Sequence, residues 1–152
     1  MRHTIVVGVS GRTGSPGALR WAVEEAGHRG STVVAVRAWR PSSPMASGAR
    51  PPLQTYDVDS AHTAEEARLA ADVAKVLGPD HSVECRLIHG GRRKVLVAAA
   101  RAADLLVLDA PRPSDLSVGP MFAHRLVYAA PCPVVIMPPA MTRAAAASPE
   151  GA

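Results

Sequence analysis

Two loops of this 152-residue chain contain the residue types that decide whether an anion is welcome. The first is Gly8–Gly17, GVSGRTGSPG, set between a β-branched run and a helix start. Glycines at such a junction let backbone N–H groups and the positive end of the helix approach a phosphate. No Gly-Lys-Ser/Thr closes the loop, and glycines at 8, 11, 14 and 17 do not fit G-x-G-x-x-G, so the spacing suits a plain tight turn equally well. The second loop is Asp109–Pro120, DAPRPSDLSVGP, which follows the apolar run LLVL. Pro111, Pro113 and Pro120 have no N–H to donate, and Asp109 and Asp115 carry negative charge. A loop at the carboxyl end of a strand is the usual seat of a nucleotide phosphate. The chemistry of this one predicts that the phosphate site is lost.

Arg92-Arg93-Lys94 stands beside Gly90-Gly91 at the start of a predicted helix. Cations there oppose the helix dipole by about 0.3–1 kcal/mol each, an effect that exposure to water relieves. Exposure is the expectation for all three. His3, His28, His62, His81, His89 and His124 form no metal-binding spacing, and no serine sits in G-x-S-x-G. Cys85 and Cys132, each in an apolar strand-like setting, read as small core residues and not as a disulfide or metal pair. No metal site and no catalytic residue set is expected, so the chain does not read as an enzyme.

These loops must be positioned by regular elements. Thr4–Val9 is a strand buried on both faces. Ser15 as N-cap and Pro16 in the first turn open a helix whose Leu19, Ala22, Val23 and Ala26 share one face, and Gly30 ends it. Thr32–Trp39 is a second strand. Arg40–Val58, broken by four prolines, reads as a long surface loop. Asp59 or Ser60 then caps a helix carrying Leu69, Val73, Val76 and Leu77, closed by Gly78-Pro79. Val83–Ile88 alternates apolar with charged residues, as an edge strand does. A helix with Val95, Leu96, Ala99 and Ala102, a strand at Leu105–Leu108, a helix over Gly119–Ala130 and a strand at Pro133–Met137 complete the chain. The alternation predicts an α/β fold with a doubly wound parallel sheet and right-handed crossovers.

Residues 1–139 read as one domain, with a core of Val, Leu, Ile and Ala because aromatics are only 3%. Residues 140–152 read as a disordered tail. The net charge of +4 is spread along the chain without a basic run interleaved with aromatics, so nucleic acid is not an expected partner. No apolar run reaches membrane-spanning length. The opening MRHTIVVGVS has no signal-peptide pattern. A cytoplasmic protein is expected.

The stretches IVVGVSGRTGSPGALRWAVEEA, TVVAVRAW, ADLLVLD and APCPVVIMPP resemble the universal stress protein family over residues 3–138, the closing Ala-Pro-Cys-Pro-Val-Val run most specifically. The resemblance implies a five-stranded parallel sheet in the order 3-2-1-4-5, with the two loops facing each other across the switch point between strands 1 and 4. Members that bind ATP carry an Asp just after the first strand, and G-x-x-G, nine residues, then Gly-Ser/Thr after the fourth. Here Ser10, beside Gly11, holds the Asp position; Asp109 and Arg112 replace the two glycines; and Gly119-Pro120 falls near the Gly-Ser/Thr, with the loop about two residues shorter. The strand-2 position whose backbone meets adenine corresponds to Ala38.

The expectation is therefore a regulatory stress-response protein without a cofactor. It would act as a homodimer paired through the Val134–Met137 edge or with a protein partner yet to be identified. The alternatives are a nucleotide binder using backbone contacts with Arg12 or Arg112, and a weak nucleotide hydrolase.

Overall fold

A computed structural model of the chain describes residues 2–41, 57–111 and 121–138. Most of the proline-rich segment at Arg40–Val58, the sites at Arg112 and Gly119, the residues Pro113, Asp115 and Pro120, and the tail at 140–152 lie outside the described residues. Five strands and four helices alternate: β1 Thr4–Gly8, α1 Pro16–Arg29, β2 Thr32–Trp39, α2 Val58–Leu77, β3 Glu84–His89, α3 Arg92–Ala100, β4 Leu105–Asp109, α4 Phe122–Ala129 and β5 Val134–Met137. All four strand pairings are parallel, in the order β3-β2-β1-β4-β5. The predicted α/β fold and its strand order are correct, and Val83–Ile88 lies on an edge as its alternation implied.

The period of two along each strand sorts side chains to opposite faces. Ile5, Val7 and Val9 of β1 and its exit, with Val33, Ala35 and Val107, pack against Ala18, Leu19, Ala22 and Ala26 of α1 and Leu69 and Val73 of α2. Val6, Val34, Val36, Leu106 and Leu108 pack against Val95, Leu96 and Ala100 of α3 and Leu126 of α4. The sheet is thus covered by α1 and α2 on one face and by α3 and α4 on the other.

Several local expectations need correction. Ser15 precedes α1 but does not cap it with its side chain; it adopts φ 48°, ψ 54°, and its hydroxyl is used elsewhere. Asp57, not Asp59 or Ser60, caps α2, its carboxylate accepting the Asp59 N–H at 3.1 Å. A hydrogen bond from the Ser60 hydroxyl holds the Asp57 carboxyl below the usual carboxylate range. Val23, which the spacing placed on the buried face of α1, is exposed, and Ala18, which it did not, is buried. Ala102 lies beyond the end of α3, where Ala100 is buried instead. Gly30 does close α1, at a φ of 64° that few other residues adopt without strain.

Candidate functional site

The strands end unevenly at the carboxyl side of the sheet. β1 pairs with β2 only as far as Gly8↔Val36, whereas β2 runs on beside β3 to Trp39↔His89. The Val36 carbonyl accepts from Val9 N, and the Trp39 carbonyl, on the other side of the strand, accepts from Gly90 N. Alternate residues of a parallel strand bond to alternate neighbours. The main-chain N–H and C=O of Ala38 therefore face the side that β1 has left. A crevice opens there between the exits of β1 and β4, with a cavity of about 170 Å³. Its apolar wall is built by Val36, Leu96, Leu108 and Phe122, and Ala38 borders it. Its polar wall includes Ser10, Gly11, Thr13, Ser15 and Asp109, together with the charged Arg37, Glu65 and Arg92. Ser10, Gly11, Ala38 and Asp109, singled out from the sequence, are thus brought together; Arg112 and Gly119 lie outside the described residues.

The β1–α1 loop spends four of its N–H donors on itself. Ser10 N donates to the Ser15 hydroxyl at 2.9 Å, and Arg12 N to the Ser10 hydroxyl at 3.2 Å. Gly14 N donates to the Ser10 carbonyl, and Ser15 N to the Thr13 hydroxyl. Ser15 is 2% exposed and holds its left-handed backbone at a cost of about 1–2 kcal/mol to make this closure. Four N–H groups of the glycine-rich turn are thus engaged in internal bonds.

The decisive group is Asp109. Leu105, Val107 and Asp109 share the face of β4 that meets α1, so the last of them reaches the α1 N-terminus. Its Oδ1 accepts the Ala18 N–H at 2.7 Å. That N–H is one of the unpaired first-turn donors to which an anion would otherwise bind. Gly17 makes the approach possible, since a Cβ there would stand 2.9 Å from the same oxygen. The sequence gives Asp109 the right sign of charge but not its anchorage on α1.

Sequence reasoning also misses Arg37, whose side chain is 4% exposed on β2. Its guanidinium donates to the Val9 and Ser10 carbonyls at 3.3 and 3.1 Å, to Glu65 at 3.3 Å and to Asp72 at 2.5 Å. Both carboxylates belong to α2, so Arg37 fastens the β1 exit to that helix. The available signal was a cation within the apolar run TVVAVRAW.

Exposure is the right expectation for Arg93 and Lys94 but not for Arg92, which is half-buried, lines the crevice and lies 5.8 Å over the Phe122 ring. Burial pushes the Cys85 and Cys132 thiols up, so neither is poised as a nucleophile. Among the described residues, no cluster of His, Cys, Asp and Glu could hold a metal ion, and no helix is long and apolar enough to cross a membrane.

The model of the universal stress protein family matches residues 1–138. A member of that family from Burkholderia pseudomallei is 26% identical, with a TM-score of 0.59 over 90% of this chain and 96% of that one. A universal stress protein in complex with cAMP is 23% identical, with a TM-score of 0.58 over 89% and 95%. One from Archaeoglobus fulgidus in complex with dAMP is 22% identical, with a TM-score of 0.54 over 88% and 96%. Among curated proteins no sequence match is found.

Proposed function

Since the chain belongs to the universal stress protein family, we propose that it is a stress-response protein that has an open crevice at the switch point but no tight grip on a triphosphate. It acts by pairing with a second copy or with another protein, and not by catalysis. The observation that carries this reading is the Asp109 carboxylate on the Ala18 N–H, a negative group seated on the donor that a phosphate would use. The β1–α1 loop supports it, because Ser10, Arg12, Gly14 and Ser15 have already committed their N–H groups. Titration with Mg-ATP by calorimetry is expected to give affinity weaker than low micromolar. A low-micromolar constant sinks the proposal.

A second reading, in which the crevice takes a nucleotide through backbone contacts, is favoured by the Ala38 main chain at its edge. Relatives of the same fold have been solved with cAMP and dAMP.

Pairing through β5 follows from its place at the end of the sheet, where an apolar strand edge invites another strand unless it is covered. Ile136 is 39% exposed there. The full chain is expected to be dimeric by light scattering at micromolar concentration, and Ile136→Lys to shift it toward monomer. A monomeric wild-type protein at high micromolar concentration refutes this mode of association.

A further inference from the structure

We propose that the surface where β2 ends and α3 begins is a docking face for a short acidic segment of a partner protein, held by Arg40, Arg92, Arg93 and Lys94. The inference deepens the reading that the chain acts with another protein, on which it rests, by giving that partner's chemistry.

The four cations come together from two places in the chain. β2 and β3 pair as far as Trp39↔His89, and Gly90 N donates to the Trp39 carbonyl at 2.9 Å, so the two strands exit side by side. Arg40 follows Trp39, and Gly91 follows Gly90. The Arg40 guanidinium occupies the space that glycine leaves open, since a Cβ at 91 would stand 2.7 Å from its Nη2. Arg92, Arg93 and Lys94 then begin α3 at once. Successive residues of a helix are turned by about 100°, so the three fan out. Arg92 turns to the Phe122 ring and the crevice, while Arg93 and Lys94 are exposed.

Elsewhere, Arg29, Arg37, Arg68 and Arg86 each pair with a glutamate or an aspartate. Among the described residues, no carboxylate pairs with any of the four. The first turn of α3 holds no acid, whereas that of α2 holds Asp59 behind its cap Asp57. The helix dipole disfavours cations at this end, so the cluster works against the element that carries it. A partner's carboxylates would neutralise both the mutual repulsion of these side chains and their conflict with the dipole.

The extent of the patch selects the partner. Three of the four are arginines, whose planar guanidinium takes a carboxylate in two parallel bonds. Beyond Arg92 the sign of the surface changes, because Glu65 and Asp109 line the same crevice. A long polyanion such as a nucleic acid would run on to those acids, and the chain has no basic run interleaved with aromatics to carry it. A few adjacent Asp or Glu residues cover the four cations and end there.

Fluorescence anisotropy of the full-length protein with labelled hexaglutamate, hexaglutamine and a short oligothymidylate tests the proposal. Hexaglutamate is expected to bind at least about tenfold more tightly than hexaglutamine, and to weaken as salt rises to physiological strength. Arg93→Glu with Lys94→Glu should lower hexaglutamate affinity at least about tenfold and, by placing acids in the first turn, raise Tm. Arg40→Gln should lower that affinity as well. Arg2→Glu with Arg20→Glu makes the same change of net charge at exposed positions elsewhere, and should leave it within about twofold.

Equal binding of the two peptides, or an equal loss in the variant at positions 2 and 20, means that no local patch acts and overturns the site. A fall in Tm of the variant at positions 93 and 94 gives these cations a role in the fold and overturns it too. Tighter binding of the oligothymidylate overturns the choice of a protein segment. A wild-type protein that ignores hexaglutamate but is dimeric by light scattering loses this docking face and keeps its action through pairing. One that is monomeric and binds no hexaglutamate loses both.

Discussion

Arg37→Ala is expected to lower stability by about 3 kcal/mol, the low end of the range for removing one partner of a buried ion pair. The low end applies because the stranded carboxylates are part-solvated, with Glu65 19% and Asp72 36% exposed. The guanidinium itself is 4% exposed, and its removal takes away the donors to the Val9 and Ser10 carbonyls. Both ends of the loss matter. On α2, two acids turn toward a face that no longer neutralises them. On β1, the loop that borders the crevice loses its fastening to the sheet. For a chain of this size the change corresponds to a fall in Tm of roughly 6–12 °C. Amide exchange across Ser10–Gly14 should rise with it. A Tm within about 2 °C of wild type, or unchanged exchange in that loop, contradicts the role assigned to Arg37.

The other large effect is a gain. Replacing Asp109–Met121 with a glycine-containing loop of the family's ATP-binding pattern, together with Ser10→Asp, should raise ATP affinity at least about 100-fold. Removing Asp109 frees the Ala18 N–H and deletes a like charge from the phosphate's approach. Each charge-assisted bond regained contributes about 1.5–3 kcal/mol, so two exceed the ~2.8 kcal/mol that a hundredfold change requires. The strand residues Val6, Leu106 and Leu108, all buried, are left in place. Added glycines cost roughly 0.5–1 kcal/mol each. Calorimetry with Mg-ATP reads the gain, and melting verifies that the graft folds. A folded graft with parental affinity means that the crevice itself, not its loop chemistry, excludes the nucleotide.

The order of elements was legible because the central strands are apolar on both faces while the helices are not. Short unbroken apolar runs rich in β-branched residues favour sheets, and TIVVG, VVAV and LLVL each stand between turn residues or helical patterns. The two capping errors differ in cause. The side chain of a cap candidate can equally bond a loop, and Ser15 serves Ser10 N instead of its own helix. At α2 the helix begins at Val58, so the cap is Asp57, ahead of Asp59 and Ser60. The site was legible as a place and as a sign of charge. Its partnerships were not. Arg37 meets Asp72 across 35 positions, and Asp109 meets Ala18 across 91, distances over which only the packed fold specifies who faces whom. Arg92 departs from expectation for a similar reason: its helix turn alone says exposed, and Phe122 from α4 supplies the cover.

The narrow fit between Gly17 and Asp109 also constrains the sequence changes open to this protein. A methyl group at position 17 would press within 2.9 Å of the oxygen that Ala18 N holds in place. Alanine at 17 would therefore make the Asp109 carboxyl shift from its place on the Ala18 N–H, and would require no such shift with glycine at 109. The two positions are coupled, because the effect of a methyl at 17 depends on what stands at 109.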